Sequence, residues 1–311
     1  MANQVSILEV IKTLNLDCIN EASKDCYITT ADVYRPGMQL VGYYKHFPFE
    51  RIQVIGQAEY AYISELTEEE RVSKLNNFFS YDIPLVCFTR GNPIPEDLIH
   101  LAQVHDKFIV STDLPTTRFV SRISDYINDK IAPIEVVHGV LVDVDGLGIL
   151  IKGDSGIGKS EAALELIQRG HRFVSDDAVE IKRLEEDVLV GQSPEITRHI
   201  MEIRGIGILD IKSLYGVGAV KPSKTIDLVA TLEKWEDGKY YDRLGMDEEY
   251  VEMLGVKIAH MVIPIRPGRN ISVILEIAAR NQRQKYMGYN AAVQLNERLM
   301  SKLLESAEAN P

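Results

Sequence analysis

Gly153-Asp154-Ser155-Gly156-Ile157-Gly158-Lys159-Ser160 sets a glycine, four intervening residues and Gly-Lys-Ser in a row. That spacing is the P-loop pattern. Its chemistry explains each position. The glycines let backbone N–H groups turn inward as an anion-binding nest. The helix that follows adds its positive N-terminal end. Lys159 brings a point charge to the β- and γ-phosphates, and Ser160 offers a hydroxyl to Mg²⁺. The surroundings fit, because the apolar run Leu147–Lys152 predicts a strand before the loop and Lys159–Arg169 predicts a helix after it. The pattern therefore implies Mg-ATP chemistry, with the loop Gly153–Ser160 as the nucleotide-binding element.

Downstream, Ser175-Asp176-Asp177 follows the apolar pair Phe173-Val174. A strand ending in Asp beside a P-loop is the expected place for a Mg²⁺ ligand or a catalytic base. Only about 16 residues separate Ser160 from Asp177, short for a common P-loop fold, which suggests a compact variant with the Asp on the adjacent strand. Two adjacent Asp on a strand point to opposite faces, so one of Asp176 and Asp177 faces the phosphates, and spacing leaves open which. His138 lies in the apolar run Val136–Val140. A lone His in such a run is usually a satisfied core residue. Glu202 and Arg204 stand close together in Met201–Gly205, a pattern that an ion-paired surface also produces. Tyr241-Asp242-Arg243-Leu244-Gly245 and Pro264-Ile265-Arg266-Pro267-Gly268-Arg269 are arginine-bearing turns. Guanidinium groups on turns can clamp phosphates, or simply solubilise.

Further out, a break near Asp129–Pro133 divides the chain into residues 1–130 and 131–311. The first part reads as a small α/β domain. It has helical spacing in Val5–Leu14, short strands at Pro84–Phe88 and Lys107–Val110, and helices at Pro95–Val104 and Thr116–Ile127. In the second part Glu135–Val144 and Arg172–Ile181 read as strands. Residues 205–219 read as loops and short strands, and Ile258–Ile265 and Ile271–Ile277 as β-rich runs about Pro267-Gly268. The tail Ala291–Ala307 reads as a helix, with Leu295, Leu299 and Leu303 in a stripe that is either core or a contact with another subunit.

Composition narrows the class. A hydrophobic fraction of 45% with 26% charged residues is that of a soluble globular protein. No apolar run nears the length of a membrane span, and the N-terminus lacks the charge and apolar layout of a secretory signal. Cys18, Cys26 and Cys87 fit neither a metal knuckle nor a disulfide framework, so reduced thiols and a cytoplasmic location are expected. The net charge of −12 is spread evenly over both parts and excludes the basic stripe of a nucleic-acid binder.

Taken in order along the chain, these segments resemble the bacterial HPr kinase/phosphorylase family. The resemblance is carried by His138-Gly-Val-Leu-Val-Asp143, the P-loop running into Ser160-Glu161, Arg169-Gly-His-Arg172, and Asp176-Asp177. Met201-Glu-Ile-Arg-Gly-Ile-Gly-Ile-Leu-Asp210, Tyr241–Gly245, Pro264–Arg269 and Met287-Gly-Tyr-Asn-Ala-Ala292 complete it. It implies an α/β enzyme whose C-terminal kinase domain resembles the nucleotide-binding region of phosphoenolpyruvate carboxykinase. It implies Mg-ATP-dependent phosphorylation of a serine on the phosphocarrier protein HPr of the sugar phosphotransferase system. It also implies removal of that phosphate with inorganic phosphate as acceptor, giving pyrophosphate, and a role in carbon catabolite repression. A homohexamer and fructose 1,6-bisphosphate as an effector favouring the kinase direction come with it. The family's active residues fall on His138, Lys159, Asp177 and Arg243, its Mg²⁺ ligands on Ser160 and Glu202, and its dephosphorylation-linked segment on Pro264–Arg269. The rival classes are a small-molecule P-loop or carboxykinase-like kinase, and a regulatory ATP-binding module without transfer activity.

Overall fold

A computed structural model describes residues 4–184, 187–241, 248–266 and 268–308. Backbone proximity divides the chain into two units, Met1–Ala132 and Pro133–Pro311. The first is a five-stranded sheet in the order Asp17–Asn20, Ile109–Thr112, Val86–Thr89, Ile52–Ile55, Val33–Tyr34. The last four strands are parallel and the first antiparallel. Parallel strands need both faces covered. Ile7–Leu14 and Thr116–Ile131 cover one face, packing Ile7, Val10, Phe119 and Ile123 on Ile52, Val54 and Val110. Glu68–Phe79 and Glu96–Val104 cover the other, packing Leu75, Phe78, Leu98 and Leu101 on Ile55, Val86 and Ile109.

The second unit has two main sheets. A six-stranded sheet runs Arg172–Ser175, Val140–Val144, Leu147–Gly153, Leu228–Lys234, Val256–Ile265, Glu249–Met253. The P-loop strand Leu147–Gly153 is parallel to Leu228–Lys234, which is parallel to Val256–Ile265. A four-stranded antiparallel sheet runs Ser223–Thr225, Leu189–Gln192, Ala178–Arg183, Ile134–His138. Side chains alternate across a strand, and the six-stranded sheet uses both faces. Val140, Val142, Ile149 and Ile151 pack under the helices Lys159–Gln168 and Ile271–Tyr286. Leu141 and Leu150 point the other way, into a cluster with Val179, Ile181 and Leu189 of the four-stranded sheet. The P-loop strand is therefore apolar on both sides and emerges at its carboxyl end into the glycine loop.

Four expectations are corrected. The run Glu135–Val144 is two strands in two sheets. The chain passes between them at Gly139, where a Cβ would sit 2.8 Å from the Ile151 carbonyl oxygen. Arg172–Ile181 is likewise split, at Asp176-Asp177, into Arg172–Ser175 and Ala178–Arg183. Ile271–Ile277 is the first half of the helix Ile271–Tyr286, not a strand. Asn270 caps that helix, its Oδ1 accepting from Val273 N at 2.8 Å. Leu275, Ala278 and Ala279 form its buried stripe. Residues 205–219 include the helix Ile211–Tyr215 as well as the strand Gly207–Asp210.

Candidate active site

The glycine loop supplies the floor of a cleft. Gly153, Gly156 and Gly158 all have positive φ, which a side chain rarely tolerates and which turns successive N–H groups to one side. Helix Lys159–Gln168 begins with no side-chain cap, so its first amides are free to meet an anion. Lys159 is buried, and its ammonium donates to the carbonyls of Gly153 at 2.9 Å and Asp154 at 3.0 Å. The cleft is open to solvent and encloses about 110 Å³.

The two aspartates do not lie on a strand at all. Asp176 and Asp177 form the turn between two strands, and Asp177 adopts the left-handed conformation with φ 67. The turn is closed by Ala178 N donating to Asp176 O at 2.8 Å and Ser175 Oγ donating to Ala178 O at 2.6 Å. Being in a turn, the two side chains do not alternate across a strand, and both carboxylates line the same cleft. Their environments separate them. Asp176 is buried, and its oxygens accept from Ser160 Oγ at 2.9 Å and Glu202 N at 3.1 Å. Burial pushes its carboxyl up, and those two hydrogen bonds oppose the push. The Asp177 side chain is 80% exposed, with His138 Nδ1 2.9 Å from its Oδ1. The pairing register explains that meeting, since His138 lies directly opposite Ala178 and Gly139 N donates to Asp177 O. His138 is at the strand's end and half exposed, which removes the buried-core reading.

Glu202 and Arg204 come from the hairpin Ile200–Ile203 and Gly207–Asp210. They do not pair with each other. Arg204 Nη2 donates instead to Ser155 Oγ at 2.8 Å. Ser160, Glu202 and Asp176 give the cleft hard oxygen donors, and Asp176 ties the other two together through its separate oxygens. That set fits Mg²⁺, which takes few protein oxygens and completes its shell with phosphate and water. Among the described residues no group of three or more His, Cys, Asp and Glu could hold a metal by themselves.

Of the sequence-predicted residues, the cleft is lined by His138, Ser155, Gly156, Gly158, Lys159, Ser160, Asp177 and Glu202. Gly153, Asp154 and Ile157 shape the loop behind it. Arg243 and Pro267 lie outside the described residues. Pro264, Ile265, Arg266, Gly268 and Arg269 do not line the cleft. Arg266 stacks 3.4 Å over the Trp235 ring, and Arg269 Nη1 donates to Pro264 O at 2.7 Å. Glu161 and Arg204 line the cleft without having been singled out for it. Glu161 carries only its place next to Ser160 as a signal. Arg204 carries only its place in the Met201–Asp210 segment of the resemblance, because nothing local says that its hairpin folds over the loop.

Comparison with known proteins finds matches along nearly the whole chain. The family described as the HPr Serine kinase C-terminal domain matches residues 129–299, and the HPr Serine kinase N terminus family matches residues 5–127. The HPr kinase/phosphorylase of Peptoclostridium acidaminophilum is 49% identical over 301 residues, covering 96% of this chain and 98% of its own. That of Thermoanaerobacter sp. (strain X514) is 51% identical over 302 residues, covering 97% and 99%. The solved structure of the Hpr(Ser) kinase/phosphatase from Coxiella burnetii shares 35% identity over 52% of this chain and 99% of its own, with a TM-score of 0.47.

Proposed function

The chain belongs to the HPr kinase/phosphorylase family, and from that premise we propose how its cleft serves a serine kinase that also runs phosphorolysis. The observation that carries the reading is one exposed carboxylate, Asp177, held by His138 beside a P-loop that presents Lys159. A protein serine can reach a base only if the base is open to solvent, and Asp177 is.

In the forward direction the serine oxygen attacks the γ-phosphorus of ATP. The bond to the β–γ bridging oxygen breaks, and its electron pair stays on ADP. Asp177 takes the serine proton. His138 holds one Asp177 oxygen and leaves the other to the incoming hydroxyl. Lys159 and the loop amides carry the phosphate charge. When Mg²⁺ is bound at Ser160 and Glu202 it neutralises charge on the phosphate oxygens. In reverse, inorganic phosphate held in the same loop attacks phosphoserine. The serine oxygen leaves with the proton of Asp177, and pyrophosphate forms. One carboxyl is base forward and acid backward, as microscopic reversibility requires. A backbone nest reads charge and shape, so it accepts a nucleotide's phosphate or the free ion.

Arg243 as a further active residue and Pro264–Arg269 as the dephosphorylation-linked segment follow from family membership. So do a homohexamer, fructose 1,6-bisphosphate as effector, and the cytoplasm as location. Among the described residues no helix is long and apolar enough to cross a membrane. The test is incubation with labelled ATP and HPr, then with phospho-HPr and phosphate. Label on an HPr serine and pyrophosphate from phospho-HPr are expected. ATP turnover on a small molecule with HPr unlabelled would refute the assignment.

A further inference from the structure

Trp235 is the first residue after the strand Leu228–Lys234, which pairs in parallel with both the P-loop strand and Val256–Ile265. In open α/β sheets ligands bind in the crevice beyond the carboxyl ends of such strands. Trp235 stands at that edge, on the strand between the one that feeds the glycine loop and the one that feeds Pro264–Arg269. The latter segment runs on toward Ile271, whose Cδ1 lies 3.7 Å from the position of a Cβ on Gly158. The indole is only half buried and belongs to none of the apolar clusters of its unit, so core packing does not account for it.

Several neighbours converge on this residue. Trp235 N donates to Ile265 O at 3.1 Å, which carries the strand pairing one residue further. Arg266 Cζ lies 3.4 Å from the centre of the indole, and the Tyr241 ring lies 4.8 Å away at an interplanar angle of 32°. Asp237 Oδ1 accepts from Trp235 Nε1 at 2.9 Å and faces Arg266 Nη2 at 3.4 Å. The indole and the guanidinium are thus fixed to one another by a face contact and by a shared carboxylate. The Arg266 side chain is 49% exposed, and without the ring it would be free among many rotamers. Stacking on an aromatic face removes that freedom and leaves the N–H edge of the guanidinium open to an anion.

We propose that Trp235 is a positioning residue for phosphorolysis. Its ring holds Arg266 in one orientation at the carboxyl edge of the sheet. It thereby sets the charge that the segment Pro264–Arg269 presents there. This rests on the reading above that ties that segment to the reverse reaction, and it adds a residue from outside the segment. The chemistry favours the same direction. Phosphorolysis admits a protein that carries an anionic phosphoserine, whereas phosphorylation admits one that does not. An oriented arginine matters more to the first.

The experiment measures both directions in the parent, Trp235→Leu, Trp235→Phe, Arg266→Ala and the double variant Trp235→Leu/Arg266→Ala. Trp235→Leu should lower phosphorolysis about tenfold and phosphorylation of HPr by no more than about threefold. The loss should appear in kcat/KM for phospho-HPr with the KM for inorganic phosphate unchanged, because the glycine loop holds that ion. Trp235→Phe keeps a ring face and should stay within about threefold of the parent. A residue that acts through Arg266 has nothing to act on once Arg266 is gone, so the double variant should match Arg266→Ala alone. Parent-like phosphorolysis in Trp235→Leu with Arg266→Ala impaired overturns the proposal and leaves the role of the segment standing. Equal losses in both directions, or losses that multiply in the double variant, also overturn it, since they mark Trp235 as general support. If Trp235→Leu does not fold, Asp237→Ala, at a side chain 97% exposed, releases the same ring and guanidinium. It should cost phosphorolysis at least about threefold, and a parent-like value there is equally fatal. Parent-like phosphorolysis in Arg266→Ala would remove the assigned role of the segment and the proposal with it.

Discussion

Lys159, Asp176 and Asp177 sit within one cleft and answer to different measurements. Lys159→Ala removes the point charge that both ATP and free phosphate must meet in the same loop. Both directions are expected to fall by at least about 100-fold, and equilibrium ATP binding with them. Phosphorolysis at the parent rate with kinase activity gone would disprove a shared loop. Asp177→Asn keeps shape and cannot take the serine proton at neutral pH, so single-turnover transfer to HPr should drop by about 10²–10⁴ with nucleotide affinity kept. Near-parent transfer would move the base assignment elsewhere. Asp176→Asn should fail differently. The buried carboxylate accepts from the Ser160 hydroxyl and the Glu202 amide, and an amide side chain offers one acceptor oxygen where two are used. Groups that orient metal ligands typically cost about 10–100-fold in metal affinity when changed. The Mg²⁺ concentration for half-maximal activity should rise by that factor, and an unchanged Mg²⁺ dependence would contradict the positioning role.

The segment Pro264–Arg269 runs from the end of the strand Val256–Ile265 toward the helix Ile271–Tyr286, whose start is fastened. At the helix end Asn270 Nδ2 donates to Glu165 Oε1 at 2.6 Å and Ser272 Oγ donates to Glu165 Oε2 at 3.1 Å. Glu165 belongs to the P-loop helix. Within the turn, Arg269 reaches back to Pro264 O. Arg269→Ala should loosen the turn while sparing the cleft residues, so phosphorolysis should suffer more than phosphorylation. Rates measured separately with HPr and phospho-HPr decide it, and equal losses would remove any special role for the turn. The same region shows what a sequence can and cannot disclose. The P-loop was legible because its chemistry is local, each glycine and the Lys-Ser pair being needed at fixed offsets. Ile271–Ile277 was misread because Ile and Val suggest a strand. What makes it a helix is the Asn270 cap and the buried stripe Leu275, Ala278 and Ala279. The cluster of His138, Asp177, Glu202 and Arg204 was legible only through family resemblance or not at all. His138 meets Asp177 through cross-strand register, and Arg204 meets Gly156 through the placing of a hairpin. Neither is written in neighbouring residues.

The second unit depends on holding two helices to one sheet face, and besides Glu165 a buried carboxylate fastens them. Glu276, in Ile271–Tyr286, is buried beneath the end of the P-loop helix. Arg169 grips it with both prongs, Nε to Oε1 at 2.9 Å and Nη2 to Oε2 at 2.6 Å. His171 Nε2 adds a contact at 2.8 Å to Oε1, while its Nδ1 accepts from Asp145 N. The Arg169 guanidinium foremost, with His171 assisting, holds the Glu276 carboxyl down at about 2, against the cost of its burial. The folded value lies below the unfolded one. The stabilisation is therefore complete above the usual glutamate value of about 4.5 and drains away as pH falls toward about 2. Arg169→Ala leaves the buried carboxylate with one partner and should destabilise the protein at pH 7. Arg169→Lys should recover only part, since an ammonium cannot grip both oxygens. The sharper expectation concerns slope. Losing Arg169 raises the folded carboxyl value toward the unfolded one, so the variant has less left to lose in acid. Urea unfolding at pH 7, 4.5 and 3 should show parent and Arg169→Ala converging as pH drops. A gap that stays constant from pH 7 to 3 would mean that Arg169 stabilises by packing its stem, and the electrostatic account of this junction would fall.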